Sequence, residues 1–141
     1  MLNKLFGNRR RGSLPGADAE RALAGIVSHE PHVRHAALVR ASGLFEGCFP
    51  ARDSLGHDRL AAMSAALFSL GERVSKESRS GRLHYALVAG EDGLNLFLVL
   101  DRDHPLMVGL HPGASPDAVF DGLRLSAIPL LQLLSITERP I

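Results

Sequence analysis

The chain has 141 residues, of which 16 are Lys or Arg and 15 are Asp or Glu, and its formal net charge is +1. A chain of this length can fold as one domain without a metal ion or a disulfide to hold it together. Hydrophobic residues make up 45% and aromatic residues only 5%, so we expect an aliphatic core. The single cysteine, Cys48, excludes an intramolecular disulfide and favours a reducing compartment. With no apolar run of about 20 residues and no signal-peptide pattern, the sequence predicts a cytoplasmic protein.

Residues 1–16 differ in composition from the rest of the chain. They carry four basic side chains and no acidic one, so the remainder is slightly acidic and is not expected to bind nucleic acid. We predict a disordered tail at residues 1–16, a domain at residues 17–135 and a frayed C-terminus at residues 136–141. Alternatively, residues 1–11 contact an anionic membrane or a partner weakly, because a few apolar side chains lie beside a cluster of basic ones there: Met1, Leu2, Lys4, Leu5, Phe6 and Arg9–Arg11.

Local patterns divide the domain into three helices and five strands. In chain order they are a helix at Ala19–His29, strands at Val33–Ala41 and Leu44–Phe49, a long helix at His57–Ser78, strands at Leu83–Ala89, Leu94–Leu100 and Pro105–Leu110, and a helix from Pro116 to about Leu134. Asp18 and Ser115 are predicted helix caps, and Pro129 is expected to kink or divide the last helix.

The order α-β-β-α-β-β-β-α predicts an α+β fold with a five-stranded antiparallel sheet between helices. The turns between paired strands are all short, which antiparallel pairing allows. Both sides of strand Leu94–Leu100 are largely apolar, which is typical of a central strand covered on two faces. Strand Leu83–Ala89 lacks the charges that would protect an exposed sheet edge, so we expect it to pair with a second copy.

The long helix carries two apolar rows at helical spacing. The larger row is expected to cover the sheet, and it consists of Leu60, Met63, Leu67, Leu70 and Val74. The smaller row, Ala61, Ala65 and Phe68, is expected to let a second helix come close. Four charged residues lie off the larger row and form either a solvated face or a partner-binding surface: Arg59, Glu72, Arg73 and Lys76.

The element order and four stretches of sequence resemble the roadblock (dynein light-chain) domain family over roughly residues 33–134. The stretches are HAALVRASGLFEG, the Ala/Leu-rich central helix, LHYALVAGEDGLNLFLV and LMVGLHPGAS. The resemblance implies a profilin-like architecture and a homodimer or heterodimer, in which edge strands join two sheets and the central helices lie side by side. It would place seven residues at the dimer interface: Leu60, Ala61, Ala65, Phe68, Leu83, Tyr85 and Leu87.

The resemblance also implies a class of function. Members of the family regulate or scaffold small Ras-like GTPases or serve as dynein light chains. Some bacterial members accelerate GTP hydrolysis by positioning the catalytic groups of their partner, so the resemblance carries over no catalytic residue.

The sequence shows no catalytic, cofactor-binding or metal-binding pattern. His29, His32 and His35 are spaced three apart, but Pro31 breaks any helix that would align them. P-loop, GxGxxG and GxSxG motifs are absent. Cys48 has no basic neighbour in sequence and is predicted to be a small core residue.

We therefore expect a dimeric, non-enzymatic regulator or adaptor of a small Ras-like GTPase, without cofactor or metal. Two alternatives stay open. One is a module that senses a signal or a small ligand, and the other is a structural scaffold subunit of a larger complex.

Overall fold

The structure, a computed structural model, describes residues 16–51 and 54–134. The predicted tail and frayed C-terminus lie almost entirely outside the described residues. The helices are α1 (Gly16–His29), α2 (Ser54–Glu77), α3 (Pro116–Ser126) and α4 (Ile128–Leu133), and the strands are β1 (Val33–Val39), β2 (Phe45–Phe49), β3 (Tyr85–Gly90), β4 (Gly93–Val99) and β5 (Pro105–Leu110).

The five strands form one antiparallel sheet in the order β2-β1-β5-β4-β3, which confirms the predicted α+β fold. The middle strand is β5, and all of its residues are buried. The strand predicted as central, β4, is an interior strand but lies one place from the β3 edge. Burial of β5 on both sides follows from its position, because helices cover both faces of the sheet there.

The main core lies on the face of the sheet that carries α1, α3 and α4. These helices contribute Ala22, Leu23, Ile26, Val119, Leu123, Ala127 and Leu130, and the sheet contributes mainly leucines and valines, among them Leu38, Leu96, Leu98, Val108 and Leu110. The alternation predicted along β4 is confirmed, because Leu96 and Leu98 face this core while Phe97 faces the opposite layer.

The other face of the sheet is covered by α2, over a smaller core. Ala37, Cys48, Phe97 and Met107 form this core, with Leu60 and Leu67 packed against it. The helix turns Ala61, Ser64 and Phe68 inward, and all three are buried. Two of the three are small, which lets the helix axis lie close to the sheet.

The prediction that the larger apolar row of α2 covers the sheet is therefore wrong for three of its five members. Met63, Leu70 and Val74 point away from the sheet and are exposed. The smaller row, which we expected to face a second helix, supplies Ala61 and Phe68 to the buried side instead. A helix with two apolar rows can pack by either one, and the side chains of the sheet decide which.

The predicted helix ends are partly correct. Asp18 lies within the first turn of α1 and is not its cap, because the helix begins at Gly16. Ser115 occupies the cap position of α3 but its side chain makes no capping hydrogen bond. The predicted division of the last helix is confirmed, since α3 and α4 separate at Ala127 and Pro129 lies at the start of α4, where a missing N–H is tolerated.

Candidate protein-interaction surface

The outer side of α2 carries a row of exposed apolar side chains. Met63, Leu70 and Val74 are exposed by 62%, 55% and 58%. Their spacing of seven and four residues places them on one side of the helix. Clustered apolar side chains in water are typical of a surface that a partner covers.

Strand β3 lies at the edge of the sheet and, within the described residues, pairs only with β4. Half of its backbone N–H and C=O groups therefore point outward, away from the sheet. Tyr85, Leu87 and Val88 are exposed by 42%, 44% and 42%, and the strand YALVAG contains no charged residue. This edge offers both hydrogen-bonding groups and apolar side chains to another strand.

The end of α2 lies near the beginning of β3, because α2 crosses the sheet from β2. At the start of α2, His57 Nε2 lies 3.3 Å from Cys48 Sγ on β2. Two turns before its end, Gly71 packs against Leu83, whose Cδ2 lies 3.0 Å from the place where a Cβ on Gly71 would be.

Of the exposed β3 side chains, Val88 is on the α2 face of the sheet. Tyr85 and Leu87 are on the opposite face, where the Tyr85 ring lies 5.0 Å from that of Phe120 on α3. We call the exposed side chains of Met63, Leu70, Val74, Tyr85, Leu87 and Val88 the edge surface.

The opposite edge strand, β2, differs from β3 in three ways that resist strand pairing. Its register shifts so that Glu46 is an extra, bulged residue between the pairs Leu38–Gly47 and Val39–Phe45. Glu46 is buried, with Oε1 3.3 Å from Arg40 Nε. Pro50 follows the strand directly and has no N–H to donate. Bulges, charges and prolines are the usual protection of a sheet edge, so β3 is the edge that is open to a partner.

The predicted interface residues fall into three groups in the structure. Tyr85 and Leu87 are exposed on β3, whereas Leu60, Ala65 and Leu83 are half-buried. Ala61 and Phe68 are buried between α2 and the sheet, so they offer no surface to a partner in this structure.

Sequence reasoning did not select four members of the edge surface as candidate interface residues: Met63, Leu70, Val74 and Val88. The regular spacing of the three on α2 was visible in the sequence. The period of a helix, however, does not tell which of two apolar rows faces the sheet.

Three of the four charged residues predicted to bind a partner are exposed on α2. These are Arg59, Arg73 and Lys76, while Glu72 is half-buried. Arg59 lies one turn before Met63, and Arg73 lies next to Val74. The outer side of α2 thus presents cations beside its apolar row.

Other chemistry is sparse among residues 16–51 and 54–134. No cluster of three or more His, Cys, Asp or Glu side chains in these ranges could hold a metal ion.

Cys48 is buried, as predicted, and the ring of His57 stacks on Phe45 with centroids 4.1 Å apart. The sequence missed the proximity of Cys48 and His57, since they belong to different elements. Their contact fixes the beginning of α2 on β2.

None of the helices in the described part of the chain combines the length and the apolar character needed to cross a bilayer. The long helix α2 carries charged side chains near both ends and apolar ones between them, which suits a helix that packs on a sheet on one side and meets water or a partner on the other.

Comparison with solved structures supports the fold. A Roadblock/LC7 domain from Streptomyces avermitilis is 20% identical, with a TM-score of 0.65 over 82% of this chain and 91% of that chain. MglB from Myxococcus xanthus is 11% identical, with a TM-score of 0.73 over 87% and 92%. A structure described as MglB with a tetrameric arrangement is 19% identical, with a TM-score of 0.70 over 87% and 94%. At these identities the similarity extends to the fold alone.

Sequence comparison identifies the family directly. No curated protein is significantly similar to the chain in sequence. The family model described as Roadblock/LC7 domain matches residues 18–108, which run from the first turn of α1 into β5. The chain belongs to the Roadblock/LC7 domain family.

Proposed function

We propose that this chain is a dimeric, non-enzymatic regulator or adaptor of a small Ras-like GTPase. The proposal rests on membership of the Roadblock/LC7 family and on one structural observation, the edge surface. The open edge of the uncharged strand β3 lies near the end of α2, and a second copy can cover both this edge and the exposed apolar row of α2.

Pairing of β3 with β3 of a second copy would use the open edge. A twofold axis brings the same strand of both copies together in antiparallel orientation, as in most homodimers. The outward N–H and C=O groups of β3 then find partners, and two five-stranded sheets become one of ten strands. The copies of α2 lie on the same face of that sheet, with Met63, Leu70 and Val74 turned towards each other.

The paired α2 helices would form the platform for the GTPase. Arg59, Arg73 and Lys76 are exposed there and would be present twice in a dimer. Cations at such a surface can contact the acidic side chains of a partner and speed its association. In this role the chain positions the catalytic groups of the GTPase and contributes no reacting group of its own.

The dimer is tested by placing a charge in the edge surface. We expect the wild type to sediment at twice the 15.2 kDa of one chain, and Leu70→Glu or Leu87→Glu to sediment as monomers. Burial of an unpaired carboxylate would weaken association by at least about 100-fold. Leu125→Glu is the matched control, because it places the same charge at an exposed leucine of α3, on the opposite face of the sheet from α2, and it should leave the dimer intact.

A wild-type protein that sediments as a monomer at high concentration would contradict the proposed dimer. So would both edge variants dimerising as strongly as the wild type.

The GTPase is tested by capture followed by kinetics. The immobilised chain is exposed to lysate with GDP and with a non-hydrolysable GTP analogue, and any GTPase recovered is purified. Its single-turnover GTP hydrolysis is then measured with the wild type and with the triple variant Arg59→Gln, Arg73→Gln, Lys76→Gln. We expect the triple variant to bind the GTPase at least about tenfold more weakly. Recovery of no GTPase in either nucleotide state would favour the ligand-sensing or scaffold alternatives.

A further inference from the structure

We infer that, in the dimer proposed above, a basic loop of each copy contacts an acidic turn of the other, and that these two contacts fix the register of the paired β3 strands. The basic loop is residues 78–82, between α2 and β3, and the acidic turn is Glu91–Asp92, between β3 and β4. The inference rests on the proposed dimer and adds to it the charges that select one alignment of its strands.

Hydrogen bonds to the end of α2 hold the basic loop in place. Arg79 has a φ of 57° and turns the chain away from the helix, as residues just after a helix C-terminus often do. The N–H of Ser80 donates to Ser75 O at 2.8 Å, and Ser75 Oγ donates to Gly81 O at 2.7 Å. The loop therefore presents its two arginines, Arg79 and Arg82, just before β3.

The charges of the loop and the turn are not neutralised within the described part of the chain. Arg79 and Arg82 are exposed, and neither forms an ion pair there. The same holds for Glu91 and Asp92; Arg34 contacts the turn through its backbone, with Nη1 3.5 Å from Asp92 O. Each chain thus carries opposite charges at the two ends of its open edge strand, and a second copy in antiparallel orientation can match both.

The hydrogen bonds between β3 and β4 determine which backbone groups of β3 remain for a partner. The N–H of Val99 donates to His84 O at 3.0 Å, so His84 belongs to the residues that bond to β4. The direction of hydrogen bonding alternates along an antiparallel strand. The outward N–H and C=O groups are therefore those of Tyr85, Leu87 and Ala89.

One symmetric register pairs all of these outward groups with each other. With Leu87 opposite Leu87 of the second copy, Tyr85 lies opposite Ala89 in both halves of the dimer. A slide of two residues in one direction leaves Ala89 opposite Leu83, and in the other direction it leaves Tyr85 opposite Glu91. The register centred on Leu87 thus uses the open edge most completely.

The oppositely charged segments meet in this register. Counting outward from the Leu87 pair places Arg82 opposite Asp92 of the second copy. Residues directly opposite each other have Cβ atoms about 5 Å apart, which lets a guanidinium and a carboxylate touch. Arg79 and Glu91 add the same charges to the loop and the turn. The twofold axis repeats the contact, so the dimer contains two of them.

The two contacts act on alignment more than on affinity. Exposed ion pairs contribute little to affinity, whereas complementary charges fix the register in which two surfaces associate. A slide of two residues would move Arg82 and Asp92 apart by roughly 7 Å along the strands. The charges therefore disfavour both shifted registers.

Complementary charge reversals in the full chain test the contact. We expect Arg82→Glu, and separately Asp92→Lys, to dimerise at least about tenfold more weakly than the wild type, because like charges then meet twice. An equimolar mixture of the two variants should form a heterodimer within about threefold of the wild-type affinity, since each contact again joins opposite charges. Arg21→Glu is the matched control, at an exposed arginine of α1, which packs on the far edge strand β2, and it should leave the dimer unchanged.

Disulfide cross-linking measures the register. The Leu87→Cys variant should cross-link to its own copy on oxidation, because the paired Cα atoms would lie about 5.5 Å apart. The Ala89→Cys variant should not, since the two copies of residue 89 would lie roughly 13 Å apart along the strands. Cys48 is buried, so the wild type should not cross-link either.

The outcomes distinguish this inference from the dimer itself. A wild type that stays monomeric contradicts both. A wild-type dimer that neither Arg82→Glu nor Asp92→Lys weakens overturns the charge contact alone and leaves the basic loop for an acidic partner protein. Variants that weaken the dimer but do not recover on mixing also overturn the contact, as does cross-linking of Ala89→Cys in place of Leu87→Cys.

Discussion

A single carboxylate organises the turn between β4 and β5. Asp101 Oδ1 accepts hydrogen bonds from the backbone N–H groups of Asp103 and His104, at 2.7 Å and 2.9 Å, and lies 3.0 Å from His104 Nδ1. Burial raises the pKa of the Asp101 carboxyl, but the hydrogen bonds and the charge of His104 outweigh it, so the pKa is below its ordinary value of 3.8. This turn also contacts the end of β1, because the N–H of Ala41 donates a hydrogen bond to the backbone oxygen of Asp103 at 2.7 Å.

The lowered pKa makes this turn sensitive to acid. Because the pKa of Asp101 is lower in the folded chain than in the unfolded chain, its contribution is complete above the unfolded value and is lost as the pH falls through the folded pKa. We expect Asp101→Asn to lower the free energy of unfolding by about 1 kcal/mol at neutral pH, and the difference from the wild type to shrink below pH ~4. Urea unfolding of both proteins at several pH values measures this difference in the free energy of unfolding.

The control for the turn is Asp92→Asn, at an exposed carboxyl in the β3–β4 turn, which should change stability little at any pH. A loss in Asp101→Asn that stays constant down to the lowest pH would contradict the role of the ionised carboxylate.

Among the elements, α1 and β2 pack through a glycine. An added Cβ on Gly47 would lie 3.3 Å from Ala19 Cβ and 3.5 Å from Leu23 Cδ1. Both neighbours belong to a helix whose inner side is completely buried, so α1 has little freedom to move away. The absence of a side chain at this position sets the distance between helix and strand.

This close approach predicts opposite effects for two glycines. Gly47→Val should lower the free energy of unfolding by about 2 kcal/mol, because the added methyl groups force α1 off the strand. Gly25→Ala in the same helix has open space around the new Cβ and should raise it by about 0.5–1 kcal/mol, because alanine favours the helix. Denaturant unfolding of the two variants and the wild type measures both changes in the free energy of unfolding. A Gly47→Val variant as stable as the wild type would show that α1 is not held against β2.

In the whole molecule, the two edges of the sheet are unequal. β2 carries a bulge and a buried ion pair, whereas β3 is regular, uncharged and partly exposed. Only β3 can extend the sheet without a charge or bulge in the way.

Hydrogen exchange can distinguish the edges without any substitution. We expect the β3 amides that do not pair with β4 to become protected as the protein concentration rises, because a second β3 then accepts their hydrogen bonds. The amides of β5, in the middle of the sheet, should be protected at every concentration, and the outer amides of β2 should exchange at a rate independent of concentration. Exchange of β3 that does not respond to concentration would argue against strand pairing.

Local sequence determined the identity and order of the elements. Apolar alternation and periodicity, short turns and the proline at residue 129 lead to five strands and four helical segments, because each depends on side chains close in sequence. The lack of charge in β3 already marked an edge that could pair.

Only the tertiary structure decided which row of α2 faces the sheet, that β5 is the middle strand, and that Cys48 lies beside His57. It also placed the start of α1 on β2. These features depend on packing between segments far apart in the chain. A periodic pattern records which residues share a side of a helix or strand, but the neighbour that covers that side is chosen by the shapes of all the elements together.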